Sequence, residues 1–321
     1  NYNEATVETT INITPKDQAQ FVVHDVSTVY PYQDDIVLNA SGGSGTGDVL
    51  FTVDPQSKIR LSASNNYISG SSLVNLSNNT KNATITGTVE YTYIGGRYCY
   101  YIHPINTYIT LPTGLLTSTN KFTFSAFYYL KNSDIHFNRL FGSSHAAATI
   151  EQPPWAHYRS FDIHTRRLLL NFSGVLDLSN VLTYDSWNFF CYTYDDDNVI
   201  KQTKVYINGS LVNTVDDRAF NLVEPLFIGA YNHSGTIMAY GGFYFDAINI
   251  YDQVLTPEQI AKMYPSITNN TLTTDITVGD YNVTAFKEAD QNYFSTSNSF
   301  EFSVNPIDQD QLDFSGLNAN L

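Results

Sequence analysis

Hydrophobic and polar positions follow a strand-like pattern most clearly between Ser186 and Asn213. The run from Trp187 to Tyr194 predicts a strand that is apolar on both faces and therefore lies at the centre of a layered sandwich. Asp195-Asp196-Asp197-Asn198 predicts a break, after which Val205 and Ile207 resume the alternation. Asn208-Gly209 then predicts a tight hairpin turn, because both central residues of a type I′ turn need positive φ. The two predicted faces are Trp187, Phe189 and Cys191 on one side, and Phe190, Tyr192 and Tyr194 on the other.

The rest of the chain favours an all-β fold. Its 321 residues are rich in Tyr (24) and Phe (20), and 42% are hydrophobic, which is enough for two domains with sizeable cores. Only residues 256–264 predict a helix: Thr256 can serve as N-cap, Pro257 as the first helical residue and Gln259 as the partner in a capping box. The predicted fold class is therefore all-β with one short helix.

Charge and hydrophobicity restrict the kinds of partner that the chain is expected to bind. The net charge of −15 makes nucleic acid an unexpected partner, and no run of about eighteen apolar residues predicts membrane insertion in this segment.

The two cysteines, Cys99 and Cys191, lie in apolar, strand-like surroundings. Buried free thiols and a disulfide both stay open, since a bridge requires the two side chains to come within reach.

The two ends of the chain repeat each other without a gap. Asn1-Tyr2 aligns with Asn292-Tyr293, Pro15 with Pro306, and Asp17-Gln18 with the same dipeptide at position 308. A fixed offset indicates a repeat array. We therefore interpret residues 1–14 as the end strand of a preceding repeat, and residues 307–321 as the start of a following repeat or a linker.

One repeat unit is split into two pieces. Its first piece, residues 15–57, contains ASGGSGTGDVLFTV, and its second, residues 269–306, contains GDYNVTAFKEADQNY and a closing strand. These pieces resemble the bacterial-type immunoglobulin-like repeats of large surface proteins. The resemblance implies an immunoglobulin-like β-sandwich with another domain inserted into one of its loops, as exposed loops tolerate.

The inserted segment, residues 58–268, contains KFTFSAFYYLKN, PLFIGA and FYFDAINIYDQVLTPEQIAKMY. This series resembles the laminin-G-like, concanavalin A-like jelly-roll family, which implies a jelly-roll sandwich. The chain departs from the family pattern at three places. Asn75 replaces an aspartate, Phe127 replaces a tryptophan, and Ile102-His103-Pro104 replaces a phenylalanine-aspartate-glycine turn.

No catalytic pattern stands out in the sequence. Glycoside hydrolases on this fold need two strand carboxylates that point into one cleft, and no such spacing occurs here. The chain also lacks a nucleophile elbow, a P-loop and the His-Glu-x-x-His motif. We therefore expect a protein that is not an enzyme.

Two regions are candidate sites for a metal or a ligand. Asp195, Asp196 and Asp197 offer hard oxygen ligands that suit calcium, the one possible cofactor, although an acidic turn uses the same residue types without a metal. Trp155, His157 and Tyr158 follow two prolines in a long irregular stretch, where an exposed tryptophan would stack on a sugar or anchor a protein. Capping of the sandwich core by Trp155 is the alternative. Asn232 lies in a second predicted rim loop.

These features together predict a non-enzymatic surface or fibre protein. Its immunoglobulin-like stalk would present a lectin-like jelly-roll head for attachment to glycans or to a protein receptor, outside the cell or on a virion. The alternative is a purely structural capsid, fibre or surface-layer component that packs against neighbouring subunits. A carbohydrate-active enzyme ranks third.

Overall fold

The computed structural model of the protein describes most of the chain, from residue 14 to residue 307. The described ranges are 14–24, 27–32, 36–64, 66–78, 80–117, 120–131, 138–145, 160–164, 167–170, 174–177, 181–196, 201–216, 223–233, 235–264, 271–272 and 276–307. The predicted strand within residues 1–14 and the predicted following repeat from 308 onward lie outside these ranges.

The two ends of the described chain form one unit, which we call the terminal unit and define by strands β1–β5 and β25–β27. Its first strands are β1 (Phe21–His24), β2 (Val29–Pro31), β3 (Ile36–Val37), β4 (Asn39–Gly42) and β5 (Val49–Pro55). Its last strands are β25 (Thr271–Leu272), β26 (Gly279–Lys287) and β27 (Thr296–Asn305). Four of these strands form a sheet in the order β2-β27-β26-β5, in which β2 runs parallel to β27 and the other neighbours are antiparallel.

The terminal unit has a hydrophobic core of its own, built from both pieces of the chain. Phe51 and Val53 of β5 pack with Val283 and Ala285 of β26 and with Phe302 of β27. Alternation along each strand sends these side chains to one face of the sheet. The sequence prediction that the two ends share one unit agrees with this core, while the immunoglobulin-like assignment and the exact boundaries stay predictions.

Residues between β5 and β25 form the central sandwich, which we define by strands β6–β24 and helix α1. The first strands are β6 (Ile59–Leu61), β7 (Ile68–Ser69), β8 (Ser72–Leu73), β9 (Ala83–Thr86), β10 (Val89–Ile94), β11 (Arg97–Ile102), β12 (Tyr108–Thr110), β13 (Lys121–Tyr129) and β14 (Asn138–His145). They are followed by β15 (Ser160–His164), β16 (Arg167–Leu170), β17 (Gly174–Asp177), β18 (Trp187–Asp196), β19 (Lys201–Ile207) and β20 (Ser210–Asp216). The series ends with β21 (Leu226–Ile228), β22 (Ala230–His233), β23 (Thr236–Ala239), β24 (Phe243–Tyr251) and α1 (Pro257–Met263).

Two sheets enclose the sandwich core. Within the described residues, the first sheet has eight strands in the order β10-β11-β24-β13-β18-β19-β20, with β6 added beside β24. The second has eleven, along the path β17-β16-β15-β14-β21-β12-β9-β8-β7, with β22 and β23 attached at β14. Phe124 of the first sheet stacks on Phe141 of the second, with ring centroids 4.5 Å apart, which shows that the inner faces meet directly.

Strand β18 lies where its hydrophobic pattern predicts. In β18, Phe190, Tyr192 and Tyr194 face the sandwich core, and Phe189 and Cys191 face the opposite side of the sheet beside helix α1. The predicted break is wrong in one respect, because β18 continues through Asp195 and Asp196 and pairs with β19 from Lys201 onward. Cross-strand pairing with Lys121 and Lys201 lets these two aspartates stay in the ladder.

The hairpin turn and the helix cap are confirmed. Asn208 and Gly209 have φ values of 50° and 78°, and Ile207 pairs with Ser210 across the turn. At the helix, the Thr256 hydroxyl accepts a hydrogen bond from the Gln259 N–H, and the Gln259 side chain accepts one from the Thr256 N–H. Ile260 and Met263 bury the apolar side of this helix.

The open question about the cysteines is answered by the fold. Cys99 and Cys191 are both buried and both free. Burial raises the pKa of the Cys99 thiol to about 12 and raises that of Cys191 further still. Both side chains therefore act as small apolar groups in the outer layers of the eight-stranded sheet.

At each of the three positions where the sequence departs from the family pattern, the residue present makes a specific contact. Asn75 is fully buried, and its side-chain oxygen accepts the backbone N–H of Arg60 at 2.9 Å, a role that an aspartate can also fill. Phe127 packs against Phe189 with ring centroids 5.0 Å apart. His103 Nε2 lies 2.9 Å from the Glu90 carboxylate at the edge of the sheet. The jelly-roll core therefore accommodates all three changes.

Candidate functional site

The clearest concave site lies between the terminal unit and the central sandwich, and one of its walls is the sheet of the terminal unit. Residues that alternate with the buried Phe51, Val53 and Val283 point to the other face of this sheet. Thr52, Thr284 and Ser299 are paired neighbours on three adjacent strands, so their side chains form one row across that face. We call these three residues the hydroxyl row.

The opposite wall is the outer face of the eight-stranded sheet. Arg97 Nη1 donates to Asp246 Oδ2 at 3.0 Å, and both side chains are more than four-fifths buried. The Arg97 guanidinium also lies 4.1 Å from the ring centroid of Phe127 and 5.0 Å from that of Phe286 in the terminal unit. Because a guanidinium stacks favourably on aromatic rings, Arg97 connects the two walls.

A local irregularity of β24 sets the position of Asp246. The pairing of β13 with β24 shifts register beside Ala247, which has a φ of 49°. Such a bulge re-aims the neighbouring side chain. The Asp246 carboxylate therefore also reaches the segment that follows β6, where it accepts the Ala63 N–H at 2.7 Å.

Two tyrosines of the β10–β11 hairpin add an aromatic surface. Tyr91 and Tyr98 are half-buried and stack with ring centroids 5.2 Å apart and an interplanar angle of 3°. The Tyr98 hydroxyl donates to Asp17 at 2.7 Å, which attaches the hairpin to the start of the terminal unit. Burial raises the pKa of Tyr91 to about 12, so this ring stays neutral at physiological pH.

The two walls enclose a cleft of about 450 Å³. This volume lies within the ~300–1,000 Å³ range of small-ligand sites. Ser299 and Asp17 are exposed and mark its open side, whereas Asp54, Asp246 and Met263 lie at its buried side. The cleft thus combines hydroxyl, aromatic and charged side chains from both units.

Asp54 is a carboxyl group at the buried side of the cleft whose pKa is perturbed by its surroundings. Desolvation by burial raises its pKa to about 6, opposed by the nearby positive charge of Arg60 and a hydrogen bond from Asn282. Its Oδ2 atom is buried and has no hydrogen-bond partner. Arg60 itself donates from Nη2 to the Thr284 hydroxyl at 3.2 Å.

The predicted calcium ligands fall on a different part of the sandwich. Asp195 lies 3.2 Å from the Lys121 amine and Asp196 lies 3.6 Å from the Lys201 amine, so both carboxylates form ion pairs within the sheet. Their assignment to a turn is wrong, as described above, and Asp197 lies outside the described residues. Among the residues that the structure describes, no group of three acidic, histidine or cysteine side chains converges on a common point.

Of the predicted ligand-binding residues, Asn232 lies within the described ranges. Asn232 belongs to strand β22 and not to a loop, and its side-chain oxygen accepts the Gly235 N–H at 2.9 Å. That bond closes the turn between β22 and β23, which explains the asparagine without a ligand. Trp155, His157 and Tyr158 lie outside the described residues.

Sequence reasoning missed the cleft. Its hydroxyl row was visible as alternating polar positions in VLFTVDP, GDYNVTAFK and TSNSFEFSVN, which also mark the solvent-side face of any antiparallel strand. Arg97 and Asp246 are 149 positions apart, and no local pattern couples them.

Comparison with known proteins supports the jelly-roll assignment. Residues 104–261 match a laminin G family model described as the concanavalin A-like lectin/glucanases superfamily. The match covers a large part of the central sandwich, and the predicted concanavalin A-like jelly roll is confirmed there. No curated protein matches the chain.

Solved structures to which the chain shows partial similarity include one domain determined in complex with a sugar and two binding domains. Domain 4 of AbnA, a GH43 extracellular arabinanase from Geobacillus stearothermophilus solved in complex with arabinotriose, is 18% identical and has a TM-score of 0.45, over 66% of this chain and 99% of that domain. The receptor binding domain of botulinum neurotoxin C/D mosaic serotype is 17% identical with a TM-score of 0.45, over 65% of this chain and 51% of that one. The binding domain of Paraclostridial Mosquitocidal Protein 1 is 15% identical with a TM-score of 0.44, over 65% of this chain and 52% of that one. The chain therefore spans about half the length of the two toxin domains.

Proposed function

We propose that this chain is a non-enzymatic binding module of an extracellular or virion surface protein, in which the terminal unit carries the jelly roll as an attachment head. One observation carries the proposal: all seven residues of β5 pair with β26 although the entire central sandwich lies between them in sequence. A domain that leaves and re-enters its host through neighbouring strands projects from the host as one body. This is the arrangement expected of a head on a stalk.

The strand order of the terminal unit supports an immunoglobulin-like stalk. Its sheet places β5, β26 and β27 side by side, in the order that strands C, F and G take in an immunoglobulin sandwich. The inserted sandwich then follows the strand that corresponds to C. Repetition of the terminal sequence motif favours several such units in series.

The family description supports binding to glycans or to a protein receptor. The matched family is described as lectins and glucanases, and a lectin-like role needs a cleft with a few placed polar groups. No helix in the described ranges has the length and apolar character needed to cross a membrane.

The carboxylates in the cleft favour binding over hydrolysis. Of the three described carboxyl groups that line the cleft, Asp246 is paired with Arg97 and Asp17 accepts the Tyr98 hydroxyl, which leaves Asp54 as a single carboxyl group without such a partner. A glycoside hydrolase needs one carboxylic acid and one carboxylate that both reach the scissile bond. Release of new reducing ends from any bound oligosaccharide would contradict the non-enzymatic assignment.

A glycan array and a protein-display screen, each with and without calcium, test the proposal. We expect saturable binding in at least one of the two, and a calcium-dependent signal would support the predicted Asp195–Asp197 site. Silence in both screens, together with ordered lattices or filaments of the purified chain in electron micrographs, would favour the purely structural alternative.

A further inference from the structure

We infer that the cleft between the hydroxyl row and the outer face of the eight-stranded sheet binds a neutral glycan. The inference rests on the proposed binding function and adds the location of the site and the chemical class of its ligand. It places the ligand between the two units, in a cleft whose lining does not include Asn232 of β22.

The hydroxyl row supplies hydrogen bonds of the kind that sugars need. Thr52, Thr284 and Ser299 lie on adjacent strands, which are spaced about 4.8 Å apart. Each hydroxyl can both donate and accept, as each sugar hydroxyl does. A ligand that lies across these strands can therefore form several matched hydrogen bonds at once.

The tyrosine pair supplies the complementary apolar surface. Tyr91 and Tyr98 both line the cleft, and their rings are held parallel by stacking. An aromatic ring that is fixed in orientation buries apolar area at little cost in side-chain entropy. The C–H face of a pyranose or furanose ring is the apolar surface that fits such a platform while its hydroxyls face the opposite wall.

The charges in the cleft exclude an acidic ligand. Arg97 is neutralised by Asp246, and Arg60 faces the buried Asp54. Asp17 adds a further negative charge near the open side. A sulfated or carboxylated sugar would therefore meet no uncompensated positive charge, whereas a neutral glycan needs none.

Asp54 provides a buried acceptor that lacks a donor. It lines the cleft, it is 7% exposed, and its Oδ2 atom has no hydrogen-bond partner. Buried polar atoms are normally satisfied, and an exception calls for an explanation. A ligand hydroxyl is the type of donor that this oxygen lacks.

A titration of the intact chain with the best neutral hit from a glycan array tests the site. Thr52→Val keeps the shape of the side chain and removes one hydroxyl, so we expect roughly three- to tenfold weaker binding. Ser299→Tyr fills the open side and should weaken binding at least about a hundredfold. Thr86→Val, an exposed change on β9 outside the cleft, should leave the affinity unchanged.

Hydrogen exchange of the unaltered chain gives a second readout that does not depend on any variant. Protection by the glycan within β10–β11 and β26–β27 supports the inference. Glycan binding with protection elsewhere, or with full affinity in Ser299→Tyr, overturns the location. If the chain binds only acidic glycans or only a protein receptor, the ligand class is overturned while the proposed function stands. If no screen detects binding, both the inferred glycan site and the proposed binding function are overturned.

Discussion

Arg97 Nη1 donates a hydrogen bond to Asp246 Oδ2 at 3.0 Å, and the same guanidinium lies against rings from both units. The ion pair thus holds the β10–β11 hairpin to β24 and presents one planar cation to the terminal unit. Since both side chains are largely buried, each partner depends on the other for compensation of its charge.

Removal of the cation should therefore destabilise the protein. We expect Arg97→Met to lower the free energy of unfolding by about 3 kcal/mol, because it leaves the Asp246 carboxylate buried without its cation. Arg97→Lys keeps the charge and loses the planar stacking on Phe127 and Phe286, so we expect the free energy of unfolding to fall by only about 1 kcal/mol. Denaturant unfolding measures both, and equal losses in the two variants would show that the charge itself contributes little.

Replacement of Asp54 should change the dependence of stability on pH. Its folded-state pKa of about 6 lies above the ordinary aspartate value of 3.8, so the folded protein loses stability as the pH rises from about 4 to about 6. Asp54→Asn removes this loss. We expect the free energy of unfolding to be unchanged at pH 4 and to rise by about 3 kcal/mol above pH 7, because each pKa unit corresponds to about 1.4 kcal/mol.

Unfolding curves at several pH values test this expectation. Asp48→Asn, at an exposed position just before the same strand, is the control for the loss of one negative charge. A gain for Asp54→Asn that is equally large at pH 4 and at pH 8 would contradict a raised pKa as its cause.

Trp187 should contribute through packing more than through its hydrogen bond. Its indole N–H donates to the Ile94 carbonyl at 3.0 Å, and its ring contacts Tyr129 edge-on at 5.6 Å. Trp187→Phe should cost about 1 kcal/mol for the lost hydrogen bond, and Trp187→Ala roughly 3–5 kcal/mol. Chemical denaturation distinguishes the two, and a cost below 1 kcal/mol for the alanine variant would contradict a packed indole.

The helix cap should contribute about as much to the free energy of unfolding as N-caps do in other proteins. Thr256→Ala removes the acceptor for the Gln259 N–H and should cost about 1 kcal/mol. Thr256→Ser retains the hydroxyl and is the matched control. Equal thermal midpoints for the alanine and serine variants would indicate that packing of Ile260 and Met263 alone holds the helix.

The two thiols should be unreactive in the folded protein. Cys99 and Cys191 are buried with raised pKa values, and only an accessible thiolate reacts quickly with alkylating reagents. We expect no labelling by iodoacetamide at pH 8 under native conditions and two labelled residues in denaturant. Rapid labelling of the native protein would show that the outer layers of the eight-stranded sheet open locally.

Most local features of the central sandwich could be predicted because they depend on short-range chemistry. The period of two in β18, the positive φ at Asn208-Gly209 and the Thr256–Gln259 cap each involve residues a few positions apart. The repeated motif at the two ends likewise indicated that distant pieces form one unit. The end of β18 was misjudged because lysines on neighbouring strands compensate Asp195 and Asp196, and those neighbours are unknown until the sheet is assembled.

The sequence by itself determined the all-β class, the hairpin and the helix cap. Only the tertiary structure decided that Arg97 meets Asp246, that Asp54 is buried beside Arg60, and that the hydroxyl row faces the tyrosine pair across a cleft. The physical reason is the range of the interactions. Periodicity, turns and caps are properties of neighbouring residues, whereas desolvation and charge pairing depend on which surfaces meet after the chain has folded.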